Sequence, residues 1–194
     1  MKTLKIIKIG GNIIDDAAEL TSFLKGFSAL KGPKILVHGG GKSATKLAEK
    51  MNIPVQMIDG RRVTDAETLD LITMVYAGRI NKNIVAQLQS FGCNSVGFSG
   101  ADGNTIIAKK RPIKEIDYGF VGDVVKVEVR QVNLLVSNNI SISFCAIPHD
   151  QKGRLLNTNA DTIASELAIA FSKLYKVELY YCLEKNGVLE NVEN

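Results

Sequence analysis

The chain has no tryptophan and, in 194 residues, only four prolines, two histidines and three cysteines. Cys93, Cys145 and Cys182 are odd in number, far apart and contain no C-x-x-C. They define no disulfide framework, and we expect reduced thiols in or near the core of a cytoplasmic protein. His38 and His149 join them at no familiar zinc spacing, so no metal site of the protein's own is expected. No apolar run approaches the roughly 18 residues that a membrane span needs, and the first residues read as a strand, not as a signal peptide. The net charge of +4 is mild and spread along the chain, with five tyrosines and seven phenylalanines among it. That pattern marks a solvated surface and argues against a nucleic-acid partner. Without internal repeat, low-complexity tract or linker, residues 1–194 read as one domain.

What is present is an alternation of strands, glycine turns and helices. Leu4 to Ile9 reads as a buried strand ending at Gly10-Gly11. Asp15 or Asp16 can cap a helix whose apolar face is Leu20, Phe23, Leu24, Phe27 and Leu30, stopped by Lys31-Gly32-Pro33. Ile35 to Val37 is a second strand, followed by Gly39-Gly40-Gly41 and a helix with Leu47 and Met51 on one side. Thr64-Asp-Ala-Glu67 has the form of a capping box and opens the longest helix, striped by Leu69, Ile72, Tyr76, Ile80, Ile84 and Leu88. The stripe is core by default, and part of it could serve a dimer interface. Ser95 to Phe98 and Ile140 to Ile147 read as further core strands. Thr105 to Lys109 and Asp123 to Arg130 read as a small antiparallel lid, the second with Val125, Val127 and Val129 alternating with charges. Asn157 to Asp161 opens a helix with Ile163, Leu167, Ala170 and Leu174 inward, and Val177 to Leu183 is a last strand. The fold expected is α/β: a three-layer sandwich with a mainly parallel central sheet and an antiparallel β lid.

"KILVHGGGKSATK" (residues 34–46) invites comparison with a nucleotide-binding P-loop, G-x-x-x-x-G-K-[ST]. The first glycine of that pattern falls on Leu36, inside the strand, so no long loop is left to wrap phosphates. A strand, a glycine turn and a helix start remain, and that combination still turns backbone N–H groups toward an anion. Lys42 and Ser43 then read as ordinary residues of the helix start.

Three strand ends carry unusual groups: Lys8 before Gly10-Gly11, the triple glycine, and Asn157-Thr-Asn-Ala-Asp161. Taken singly, each has a plain alternative: a lysine on a solvated strand end, a tight turn, a helix cap. In an open parallel sheet, however, ligands bind outside the carboxyl ends of the strands, so the three should meet in one crevice. A cation, a row of N–H groups and a carboxylate suit phosphoryl transfer, which depends on positioning and charge neutralisation. No Ser-His-Asp or Cys-His arrangement competes with that reading.

Five segments, "IIKIGGNII", "LVHGGGKSATKLAEKMNIPVQMIDGRRVTDAETLDLITMVYAGRINKNIV", "VGFSGADGN", "DYGFVGDV" and "LNTNADTIASELA", resemble in order the motifs of the amino acid kinase family. The resemblance spans essentially the whole chain. Gly60-Arg61-Arg62-Val63-Thr64, Asn81-Lys82 and Gly119-Phe-Val-Gly122 favour its acylglutamate kinases. It implies ATP-dependent phosphorylation of the side-chain carboxylate of an N-acylglutamate, acetyl or succinyl, to an acyl phosphate in arginine biosynthesis. By motif, Lys8 neutralises the phosphoryl group in flight and Asp161 orients Lys8. Gly11 and the Gly40 and Gly41 amides surround that group, Gly40 and Gly41 also facing the acceptor. Arg62 grips the acceptor's α-carboxylate and Asn157 binds near its α-substituents. Gly10, Glu184 and Gly187 belong to the nucleotide side. ATP brings Mg²⁺ on its phosphates. The acceptor carboxylate is already ionised at neutral pH and needs no general base. The family is commonly dimeric through its long central helix, so a homodimer is implied. Residues 1–160 correspond roughly to the acylglutamate-binding part and 161–194 to the beginning of the nucleotide-binding part.

The chain departs from the family pattern at three places. A second phosphoryl-stabilising lysine belongs to a glycine-rich C-terminal segment, which we expect this chain to lack. The nucleotide loop, usually T-D-V-x-G-V, reads Leu183-Glu184-Lys185-Asn186-Gly187-Val188. Before the Asn/Asp helix, Ile147-Pro148-His149-Asp150 replaces I-G and an Asp, which places His149 near the acceptor. Arg61 or His149 could answer the extra carboxylate of a succinyl group. The alternatives are another carboxylate kinase of the family, such as an aspartokinase, and a non-catalytic amino-acid-binding relative.

Overall fold

The computed structural model describes residues 1–182; the expectations for Leu183, Glu184 and Gly187 lie outside them. Strands β1 (Thr3–Ile9), β2 (Lys34–His38), β5 (Ser95–Phe98), β8 (Ser141–Cys145) and β9 (Lys176–Cys182) form one all-parallel sheet in the order β5-β8-β2-β1-β9. Every carboxyl end in it therefore opens on the same edge. Helices α1 (Gly11–Asp15), α2 (Ala17–Ala29), α3 (Gly41–Lys50), α4 (Ala66–Thr73) and α5 (Asn81–Ser90) cover one face. Helices α6 (Val129–Ser137) and α7 (Ala160–Phe171) cover the other. No helix among the described residues is long and apolar enough to cross a membrane.

Strand alternation assigns side chains to these layers. Ile7 and Ile9 of β1 join the core under α2 and α5, whereas Leu4 and Ile6 join Ile163, Leu167 and Phe171 of α7. Lys8 has the parity of Leu4 and Ile6 and so faces α7, a placement with direct consequences for the site. Asp16, not Asp15, caps α2, accepting from Ala18 N and Glu19 N.

Several local expectations are corrected. Thr64 does not cap the long helix: Asp65 does, accepting from Thr68 N at 2.8 Å, because Thr64 is fully buried and its hydroxyl serves the lid. That helix contains a π-helical segment, Met74–Ile80, between α4 and α5. Ile72, Tyr76, Ile80, Ile84 and Leu88 of the stripe are buried in the chain's own core, and Leu69 is half-buried against it. The second lid strand, β7 (Gly122–Val127), ends before Val129, which begins α6. The valine alternation looked like strand to Arg130, yet Val132 and Val136, one helical turn apart, supply the buried face. On α3 the buried residues are Ala44 and Ala48, while Met51 is exposed. Leu174 lies beyond the end of α7 and is exposed too.

Two antiparallel ribbons form the lid. One is β6 (Ile106–Lys110) with β7; the other is a short hairpin, β3 (Met57–Ile58) and β4 (Arg61–Arg62). Asp59 and Gly60 connect the short strands with positive φ at both positions, the requirement of a tight hairpin turn. The ribbons are joined at Thr64, whose N–H donates to Tyr118 O and whose carbonyl accepts from Phe120 N. Gly119 (φ +70°) makes this crossing possible, since a Cβ there would lie 2.1 Å from Thr64 O.

Candidate active site

A cleft of about 420 Å³ opens at the carboxyl edge of the sheet, between the lid and the start of α7. Gly39, Gly40 and Gly41 form its floor, Arg61 and Arg62 come from β4, Arg111 and Asp123 from the larger ribbon, and Asn157 to Ala160 from the approach to α7.

The glycine turn is dictated sterically. Gly40 has φ +154°, and a Cβ on it would sit 2.4 Å from Ile80 Cδ1 and 2.9 Å from Tyr76 Cδ1. The π-helical segment presses both residues against the turn, so only glycine fits there. Gly41 then begins α3.

Arg62 is 7% exposed. Its Nη2 donates to Gly41 O (3.1 Å) and Thr45 Oγ1 (2.8 Å), which holds the guanidinium beside the turn. Its Nη1 is buried without a hydrogen-bond partner among the described residues. A buried charged donor left unpaired is costly, and an anionic group entering the cleft would complete it. Tyr76 lies alongside; burial raises its phenol pKa, and the Arg62 charge works against that rise. Asn157 lines the same cleft, and its Nδ2 donates to Thr64 Oγ1 (3.0 Å), tying the floor to the lid.

Lys8 and Asp161 form an ion pair at 2.8 Å, Lys8 from β1 and Asp161 from the first turn of α7. Asn159 caps that helix, accepting from Asp161 N. Neither Lys8 nor Asp161 lines the cleft wall; the pair adjoins it, for Ala160 and Thr162 on either side of Asp161 do line it. Gly10 and Gly11 are likewise outside the lining. Gly10 N donates to Cys182 O, and a Cβ on Gly10 would lie 3.3 Å from that oxygen. The Cβ position of Gly11 is 3.9 Å from the side chain of Lys42, which donates to Asn12 and so links the starts of α1 and α3. Lys42 and Ser43 thus serve helix starts, Ser43 donating to Asp15.

His149 does not reach the cleft. Its backbone bridges Ile107 and Leu155, and the wall expected of it is supplied by Arg61 and by Arg111, which sequence reasoning overlooked. Arg111 forks onto the Asp123 carboxylate and stacks over Tyr118 with 5.6 Å between its guanidinium carbon and the ring centroid. The sequence pattern presents Tyr76 only as core and gives Thr45 no distinguishing mark. The Asp59-Gly60 dipeptide was an available hairpin signal for the strand that carries Arg62.

A model described as the amino acid kinase family matches residues 3–191. The chain is 56% identical to the acetylglutamate kinase of Cytophaga hutchinsonii, over 100% of this chain and 74% of that protein. It is 52% identical to the acetylglutamate kinase of Bacteroides thetaiotaomicron, over 97% and 73% respectively. Among solved structures, the smu.665 protein of Streptococcus mutans UA159 superposes with a TM-score of 0.82 at 27% identity, covering 97% of this chain and 75% of that one.

Proposed function

The chain belongs to the amino acid kinase family, and on that premise we propose that it transfers the γ-phosphoryl group of ATP to the side-chain carboxylate of N-acetyl-L-glutamate, giving an acyl phosphate for arginine biosynthesis. The observation that carries this reading is the buried, half-satisfied Arg62 guanidinium beside a glycine turn that tolerates no side chain.

In this reading Arg62 Nη1 receives the α-carboxylate, where a planar two-nitrogen donor outperforms an ammonium. Asn157 contacts the α-substituents. The Gly40 and Gly41 amides face the side-chain carboxylate and the group it receives. Lys8, aimed by Asp161, neutralises charge on the phosphoryl oxygens, with the Gly11 amide beside it. The cation and N–H donors at this edge suit phosphate oxygens. Mg²⁺ would enter bound to the ATP phosphates and neutralise their charge. Gly10 would border the nucleotide, together with Glu184 and Gly187 outside the described residues. Residues 1–160 would form the acceptor side of a single domain.

A coupled ADP-release assay on the full-length protein tests the reaction. Turnover of N-acetylglutamate supports it; turnover of aspartate alone would reassign the chain to another carboxylate kinase. The same assay with N-succinylglutamate tests the acyl group, because the exposed Arg61 at the cleft wall could pair a further carboxylate. A homodimer belongs to the same reading, using surfaces other than the buried stripe, and light scattering would show it as twice the protomer mass.

A further inference from the structure

Beneath the glycine turn lies a buried polar cluster with no part in the roles above. His38, the last residue of β2, is fully buried, and Asn81, the first residue of α5, is 1% exposed. Asn81 Nδ2 lies 2.9 Å from Ser143 O and 3.0 Å from His38 Nε2, while Lys82 Nζ lies 3.3 Å from Asn81 Oδ1 and 3.1 Å from Gly97 O. His38 Nδ1 is 2.8 Å from Gly39 O.

These contacts determine every proton. A carbonyl can only accept and an ammonium can only donate, so Asn81 turns its NH₂ to Ser143 and its oxygen to Lys82. The NH₂ then donates to His38 Nε2, which must be the bare nitrogen. The imidazole is therefore neutral with its proton on Nδ1, and that proton is donated to the Gly39 carbonyl. Burial pushes the His38 pKa down to about 4, in keeping with a neutral ring.

Holding the Gly39 oxygen has a consequence across the peptide bond. In a planar trans peptide the C=O and the following N–H point in opposite directions. With the Gly39 oxygen drawn toward His38, the Gly40 N–H is directed the other way. We propose that His38 is a positioning residue, held in its Nδ1–H form by Asn81, which anchors the Gly39 carbonyl and so aims the Gly40 N–H at the acceptor carboxylate and the phosphoryl group it receives.

The π-helical segment makes this arrangement possible. At 3.6 residues per turn, residue 81 would be rotated about 140° from residue 76. The wider turn of Met74–Ile80 lets Tyr76 and Ile80 press on Gly40 while Asn81 still reaches His38. Gly97 completes the fit, since a Cβ there would lie 1.8 Å from Asn81 Oδ1.

The proposal rests on the functional reading above, and its test separates the two. Asparagine places its NH₂ where the histidine has Nδ1; glutamine places its amide where the histidine has Nε2. In the full-length protein, His38→Asn is expected to keep kcat within about tenfold of wild type, and His38→Gln to lose about 100-fold, the scale for one misdirected donor at developing charge. The KM for N-acetylglutamate should change less than kcat in both, since Arg62 is untouched. Equal losses in the two variants, or a smaller loss in His38→Gln, would overturn the proposal. Thermal melts of both variants establish that they fold. If neither folds, ¹⁵N NMR of the wild-type imidazole decides: a neutral ring protonated on Nδ1 supports the anchor, and one protonated on Nε2 overturns it. Wild type inactive on every N-acylglutamate, with the ring protonated on Nδ1, would remove the functional reading and the proposed aim while leaving the anchor in place.

Discussion

Lys8 and Lys34 sit on adjacent strands at opposite edges of the same sheet, and both are largely buried. Lys34, at the amino edge, donates to Phe27 O, Ser28 O and Leu30 O at 2.9, 2.9 and 2.7 Å and lies over the Phe27 ring. An ammonium has three donors, and here all three meet carbonyls at the end of α2, which is a structural use of charge. Burial lowers the Lys34 pKa. Lys8, at the carboxyl edge, has one ion-pair partner among the described residues, Asp161, and adjoins a cleft where Arg62 also has a donor unpaired. Burial of a charge is common to both edges. What distinguishes the carboxyl edge is that its charged donors are incompletely matched among the described residues.

The largest expected effect separates the lysines by activity. Lys8→Ala in the full-length protein should lower kcat by about 100- to 1000-fold, the scale for losing one preorganised electrostatic contact, with little change in melting temperature. Unchanged activity would remove the role given to Lys8. At the same edge, His38 titrates near 4 when folded and near 6.5 when unfolded, with burial the main cause and the Lys82 charge adding to it. The unfolded ring thus takes up its proton first as pH falls. Stability should fall between pH 6.5 and about 4 and level off below, by about 3 kcal/mol from this group. Urea unfolding across that window should show a flatter dependence in His38→Gln. For the amino edge, Lys34→Met should cost about 2 kcal/mol, because three carbonyls lose a buried donor, yet leave kcat of the folded protein unchanged. Loss of activity without loss of stability would erase the contrast between the lysines. The smallest effect is expected for Arg62→Lys, which keeps the charge and loses the fork: KM for N-acetylglutamate should rise about tenfold with kcat less affected.

Local patterns made the parallel sheet readable. Apolar strands ending in glycine, followed by capped helices, leave few topologies, and the strands expected at Leu4 to Ile9, Ile35 to Val37 and Ser95 to Phe98 are present with small shifts of boundary. Where two periods overlapped, the reading failed. Val125, Val127 and Val129 alternate as a strand, but Val129 already belongs to the turn that buries Val132. Thr64 looked like a cap because its own sequence context fits one; its burial under the Tyr118 to Phe120 crossing is a long-range contact that no local pattern encodes.

The sequence by itself marked residues that could meet an anion, Lys8 and the glycines at strand ends and Asn157 and Asp161 at a helix start, and the family resemblance added Arg62. Their chemistry and local backbone requirements are properties of neighbouring residues, and neighbouring residues are what a sequence displays. Only the tertiary structure decided how they are divided between a cleft wall and an adjoining ion pair. It also excluded His149, admitted Arg111, and placed a neutral His38 under the turn. Those outcomes depend on the parity of Lys8 in its strand, the extra residue in a π-helical turn and the crossing of two ribbons at Thr64. Each brings together residues distant in the chain, and the geometry that joins them exists only once the layers have packed.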